Sequence, residues 1–207
     1  MTAFFVSARE IILSTLTAAI YAVFLRNLIF SGGLGGTEVI RAAQRNSEIL
    51  LTSLLVSLFS AGTAVICRLL APFLPARVTA EYAWLAMLFG GVLLGLYLLA
   101  CGGIALLAGR RAPLLLKRMG MSALNTLVMS APLLIFRLGW NMPRAIGMGL
   151  GAGAAFLIVS LLVNSGMHIL QQNKAIPPMF VGVPATLIYT GLLALAFTGF
   201  TGEVLFQ

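Results

Sequence analysis

Carboxylates are scarce in this sequence: Asp and Glu together number five in 207 residues, beside one His and two Cys. Glu38, Glu48 and Glu81 fall in loops or at the ends of apolar runs, and Glu10 opens the first run. No acidic residue therefore lies deep in any run, which argues against the usual buried-carboxylate carrier of protons or sodium. Cys67 and Cys101 lie in or beside apolar runs, without C-x-x-C spacing and without a His or Cys partner nearby. That excludes a disulfide framework and a zinc site. A Walker loop, a nucleophile elbow, an HExxH pair and a helical CxxC are missing as well. The glycine run at residues 32–36 has neither the strand–turn–helix context nor the Lys of a phosphate loop.

What the chain has instead is 60% hydrophobic and 9% charged residues, with a mean hydropathy of +1.06. Those values describe an integral membrane protein. A hydrocarbon core about 30 Å thick takes about 20 apolar residues per helix, so the length supplies about five to seven crossings and no soluble catalytic domain. Charges and turn residues cut out six segments: Ile11 to Phe30, Ile49 to Cys67, Tyr82 to Leu107, Met119 to Phe136, Ala145 to Leu170 and Met179 to Phe200. Strand alternation is absent, so the expected fold is all-α, with six transmembrane helices.

The net charge of +8 is spread over thirteen Lys and Arg residues standing singly or in pairs between apolar runs. This is the pattern of loop anchors meeting anionic headgroups, not of a nucleic-acid interface. Six spans put Arg41, Arg45, Arg110, Arg111, Lys117, Arg118 and Lys174 on one face, and Arg9, Arg68, Arg77, Arg137 and Arg144 on the other. The cluster at 110–118 marks the first face as cytoplasmic, with both termini outside. Residues 1–10 lack a cleavage site after a short apolar stretch, so no removable signal peptide is expected. Glu203 to Gln207 reads as the remnant of a protease tag, which leaves 1–202 as a single transmembrane domain.

Glycine serves two purposes. Gly147, Gly149, Gly151 and Gly153, like Gly91 and Gly95, recur at spacings that let helix backbones approach, and are expected to be packing faces. In Ser31-Gly32-Gly33-Leu34-Gly35-Gly36 the glycines end the first apolar run, and irregular backbone is expected there. Leu28 to Leu34 also reads like Leu127 to Leu133, with Asn27 and Asn125 just before each. Two halves of three spans, about 1–108 and 109–202, would face opposite ways, with the first and fourth helices broken near the midplane.

The C-terminal stretch Ile176-Pro177-Pro178-Met179-Phe180-Val181-Gly182, then Leu187-Ile188, Gly191-Leu192 and Leu195-Ala196-Phe197-Thr198-Gly199-Phe200-Thr201-Gly202, resembles the last span of the six-span Rnf/Nqr membrane subunits, the RnfA and NqrE type. Arg110-Arg111-Ala112-Pro113-Leu114-Leu115-Leu116-Lys117-Arg118-Met119-Gly120 is similar to the basic loop before that family's fourth span. The resemblance implies a subunit of a prokaryotic inner-membrane complex that passes electrons between flavin and iron–sulfur carriers, coupled to sodium or proton movement. It also implies pairing with a second copy or a paralogue. The family binds an iron or iron–sulfur centre through one Cys from each half, and the corresponding positions fall at or near Ser31 and at Ser130. A neutral hydroxyl is a far poorer ligand for such a centre than thiolate, so no cofactor is expected in this chain, and flavin or iron–sulfur groups are left to partner subunits.

The candidate site is accordingly Asn27, Ser31, Gly32 and Gly33 with Asn125 and Ser130. They could bind an ion or a small solute at broken helices, or their side chains could simply bond neighbouring backbone and hold helices together, at about 1 kcal/mol each. Asn164 and His168, four apart on one face of the fifth span, are a candidate proton relay, against a plain interfacial reading. Arg26 and Arg137 flank the two repeat segments and are expected to snorkel to the interface.

Overall fold

The computed structural model describes residues 2–75, 82–107, 112–174 and 176–201. Arg77, Glu81, Arg110, Arg111, Gly202 and the expected tag remnant at 203–207 lie outside the described residues. Among the described residues every regular element is helical: α1 (Thr2–Ile20) continuing into a π turn (Tyr21–Leu25), α2 (Leu28–Gly32), α3 (Gly36–Ala43), α4 (Asn46–Leu70), α5 (Tyr82–Leu107), α6 (Ala112–Ala123), α7 (Thr126–Arg137), α8 (Met142–Gln172) and α9 (Val183–Thr201), with single 3-10 turns at Ala71–Phe73 and Pro178–Phe180.

Among the described residues four stretches are long and apolar enough to cross a membrane: Ser7–Leu25, Asn46–Phe73, Ala83–Leu106 and Met142–Gln172. A fifth candidate is the pair Leu115–Ala123 and Thr126–Arg137, bent by 42° at the break between them. The sixth expected span begins later than its sequence suggests, because Gly182 at φ +90° and Pro184 set the start of α9 after the 3-10 turn. Its apolar part, Val183–Gly199, falls short of the length of the four candidate crossings, so the expected sixth span is not among them.

α8 is the central post, packed against α1, α3, α4, α7 and α9. Its glycines explain how. Residues two apart on a helix point about 200° apart, whereas residues four apart share a face. Gly147 and Gly151 meet Thr15, Ala18, Ala19 and Ala22 around α1, while Gly149 and Gly153 meet Ala61, Ser57 and Ser53 on α4. The alternating run is thus two (i, i+4) pairs, each admitting a different neighbouring backbone. Val56, Phe59, Phe156, Val159 and Val163 fill the core between α4 and α8.

Gly91 and Gly95 depart from expectation. A Cβ on either would meet nothing within 4 Å, so this pair on α5 is not a packing face among the described residues. The remainder of α5 is also thinly covered: Met87, Leu94, Leu98 and Leu99 are exposed, as are Leu187, Ile188, Leu192 and Leu195 on α9. In a helix bundle solvated by lipid such a surface carries no penalty, since acyl chains are as apolar as Leu.

Candidate functional site

Two helix breaks form the candidate site, and each is organised by an asparagine. At the first, α1 loosens into the π turn, the Arg26 amide donates to the Tyr21 carbonyl at 2.8 Å, and Asn27 takes extended backbone as the N-cap of α2. Asn27 is 2% exposed, and both ends of its side chain are bonded. Nδ2 donates to the Val23 carbonyl at 3.0 Å, while Oδ1 accepts from the amides of Ile29 (3.2 Å) and Phe30 (3.4 Å). A buried, unsatisfied helix start is costly in lipid, and one amide side chain here satisfies both sides of the break.

The irregular segment is shorter than the glycine run suggests. Ser31 and Gly32 finish α2 and Gly36 opens α3, so only Gly33 to Gly35 are non-helical. Gly33 at φ +65° and Gly35 at φ +75° occupy the left-handed region that glycine enters freely. Phe30 then lies against Phe197 of α9, ring centroids 4.8 Å apart, which fixes α2 to the last helix.

At the second break α6 ends at Ala123, and Asn125 caps α7 with Oδ1 accepting from the Leu127 amide at 3.0 Å. Asn125 is 4% exposed, yet its Nδ2 has no hydrogen-bond partner among the described residues. Exchanging oxygen and nitrogen would set an NH₂ group against the Leu127 N–H, so the bond to Leu127 fixes which end is unpaired.

The two breaks touch. The Gly35 amide donates to Thr126 Oγ1 at 2.9 Å, and a Cβ added to Gly35 would lie 2.9 Å from Asn125 Oδ1 and 3.2 Å from its Nδ2. Gly35 was expected only as part of the irregular glycine run, and Thr126 was not among the expected site residues. The signals were a third glycine, after Gly32 and Gly33, and a hydroxyl next to the second Asn.

The two serines are not brought together in the same way. Ser31 Oγ donates to the Asn27 carbonyl at 2.8 Å and Ser130 Oγ to the Leu127 carbonyl at 2.8 Å, each within its own helix. Among the described residues no hydrogen bond joins them. Counted from the capping asparagines they also differ: Ser31 is four residues after Asn27, Ser130 five after Asn125. Gly32 and Gly33 lie on the exposed side of the first break.

The proposed relay separates. Asn164 Nδ2 donates to the Ala43 carbonyl at 2.5 Å, closing the C-terminus of α3, while His168 is exposed. Arg26 is half-buried and Arg137 exposed. Among the described residues no group of three or more His, Cys, Asp or Glu could hold a metal ion. Cys67 is buried beside Leu85 and Phe89, and Cys101 lies on α5; neither is at a break.

Comparison with known proteins gives a distant, partial similarity. RnfA, of the ion-translocating oxidoreductase complex of Rhodobacter capsulatus, is 32% identical over 80 residues, which cover 39% of this chain and 41% of that protein. The RnfA proteins of Colwellia psychrerythraea and Glaesserella parasuis are 38% and 36% identical over 80 residues, with the same coverage. The similarity thus spans about two fifths of the length of these relatives. No family model matches the chain.

Proposed function

We propose that the chain is an integral subunit of an ion-translocating electron-transport complex of the Rnf/Nqr type, in a prokaryotic inner membrane, without an iron–sulfur centre of its own. Six crossings arranged as two inverted three-helix repeats, both termini outside, and pairing with a second copy or a paralogue complete this reading. The observation that carries it is the pair of asparagine-capped breaks joined at Gly35 and Thr126. Broken helices meeting inside the bundle are the plan on which membrane transport sites are built. Partial similarity to RnfA supports the electron-transport context. The hydroxyls of Ser31 and Ser130 bond their own helices and offer no thiolate, so electrons would travel on partner flavin or iron–sulfur groups.

The test is iron and acid-labile sulfide content, with a visible spectrum, on protein purified gently from its native membrane with whatever copurifies. Flavin- and iron-carrying partners with no iron in this chain are the expected result. Iron bound by the isolated chain would overturn the cluster-free part of the reading, and a solitary chain would overturn its place in a complex.

A second reading has a specific observation behind it. A cluster-free transporter, working as a homodimer, would use the region of Asn27, Ser31, Gly32, Gly33, Asn125 and Ser130 to bind an ion or small solute. The unpaired Nδ2 of Asn125 is a donor, so this reading favours a ligand with a hydrogen-bond acceptor over a bare cation. Flux into liposomes that falls in Asn125→Ala would support it. Flux unchanged in that variant and in the Ser31→Ala, Ser130→Ala pair would leave these residues a purely structural role.

A further inference from the structure

A basic cleft lies away from the two breaks, walled by α3, the start of α4 and α6, with a volume of about 430 Å³. Four cations line it, Arg41, Arg45, Lys117 and Arg118, against two carboxylates, Glu38 and Glu48. The pairing is uneven. Arg41 spends its charge on Glu38, with Nη1 3.1 and 3.2 Å from the two carboxylate oxygens. Glu48 is shared, because the same Oε1 accepts from Arg45 at 3.4 Å and from Arg118 at 3.2 Å. Lys117 has no ion-pair partner among the described residues. Two positive charges are therefore left over in a concave site whose lining also includes Ala42 and Met121.

The depth of the cleft selects the ligand. α4 has 25 residues, about 37 Å of helix, against a hydrocarbon core of about 30 Å. Its first turn, which carries Glu48, then stands at headgroup level. α3 and α6 reach the same level from the side: one places Glu38 and Arg41, the other Lys117 and Arg118, around the start of α4. An anion there meets surplus cations in a recess between helices at headgroup level.

We propose that this cleft binds the phosphate of an anionic phospholipid headgroup, with Lys117 and Arg118 as its principal contacts. Basic pockets between membrane helices are suited to that role, each cation near an anionic surface contributing about fivefold in affinity. The assignment does not rest on the electron-transport reading and survives its failure.

The experiment is a titration of the full-length chain in neutral detergent with phosphatidylglycerol, phosphatidylcholine or inorganic phosphate, followed by native mass spectrometry. Phosphatidylglycerol is expected to bind in preference to phosphatidylcholine, and phosphate alone is expected not to displace it. Lys117→Gln lowers the affinity about fivefold, and with Arg118→Gln about thirtyfold. Arg137→Gln, at the other end of the bent pair, leaves it unchanged. Lys117 makes no ion pair among the described residues, so the single variant remains informative if the double variant does not fold. Raising salt should also erode the preference of the unaltered protein. Equal binding of the two lipids, unchanged affinity in Lys117→Gln, or a salt-insensitive preference would overturn the proposal. So would displacement by free phosphate, which would make the cleft a soluble-anion site, or binding of a polyglutamate peptide in place of lipid, which would make it a protein-docking surface.

Discussion

The amide of Gly35 donates to the hydroxyl of Thr126 at 2.9 Å, across 91 residues of sequence, and this one bond ties the two helix breaks together. Thr126→Val keeps the shape and removes the acceptor, so a backbone donor is left unpaired at a cost of about 1–3 kcal/mol. Thr126→Ser retains the oxygen and is expected to stay within about 0.5 kcal/mol of the parent. Thermal unfolding in detergent separates the two. Equal melting temperatures for Val and Ser would mean that the bond contributes nothing.

Gly35→Ala is the more severe change at the same place. It forces an L side chain to φ +75° and sets its Cβ against Asn125 Oδ1. Strain in the left-handed region adds about 1–2 kcal/mol to the steric conflict. Gly33→Ala meets only the first of these penalties, since a Cβ there touches nothing within 4 Å. The expected order of stability is parent, then Gly33→Ala, then Gly35→Ala, read from melting temperatures. A reversed order would show that Gly35 does not face the second break.

Much of this architecture was legible in the sequence, and the reasons it was not fully legible are physical. Hydropathy located four of the six expected crossings and a fifth as a bent pair, because lipid obliges each span to be long and apolar. Asn27 and Asn125 stood out only as matching polar positions, and their capping role is set by the helix breaks. The Gly147–Gly153 run was readable as packing, but only the 3.6-residue period in three dimensions divides it between α1 and α4. Gly91 and Gly95 carry the same small-residue signal, yet a Cβ on either meets nothing within 4 Å among the described residues, since spacing says that a backbone could approach and not that one does. Ser31 and Ser130 drew attention by their matching context. Their hydroxyls turned back to their own helices, a local bond that any Ser in a helix can make.

The glycine contrast gives a direct measurement. Gly149→Ala would press a Cβ into the backbone of Ala61, and α4 and α8 would have to separate, at about 1–3 kcal/mol or more. Gly91→Ala replaces a helix-interior glycine where nothing is near, and is expected to raise stability by up to about 1 kcal/mol. Comparing both variants at low protein concentration, where copies do not associate, checks the intrachain packing alone. Loss of stability in Gly91→Ala under those conditions would place an unrecognised neighbour at α5.

Asn164 and His168 provide the sharpest separation between a relay and a cap. Since Asn164 Nδ2 bonds the Ala43 carbonyl, Asn164→Ala leaves the end of α3 unsatisfied and is expected to destabilise by about 1–3 kcal/mol. His168 is exposed at the far end of α8, and His168→Gln should leave stability and any ion-coupled flux unchanged across the pH range. A proton relay predicts the opposite for His168: flux that loses its pH dependence when the imidazole is removed. The two variants therefore decide the matter together, because a fold-supporting Asn beside a silent His is the pattern that only the cap produces.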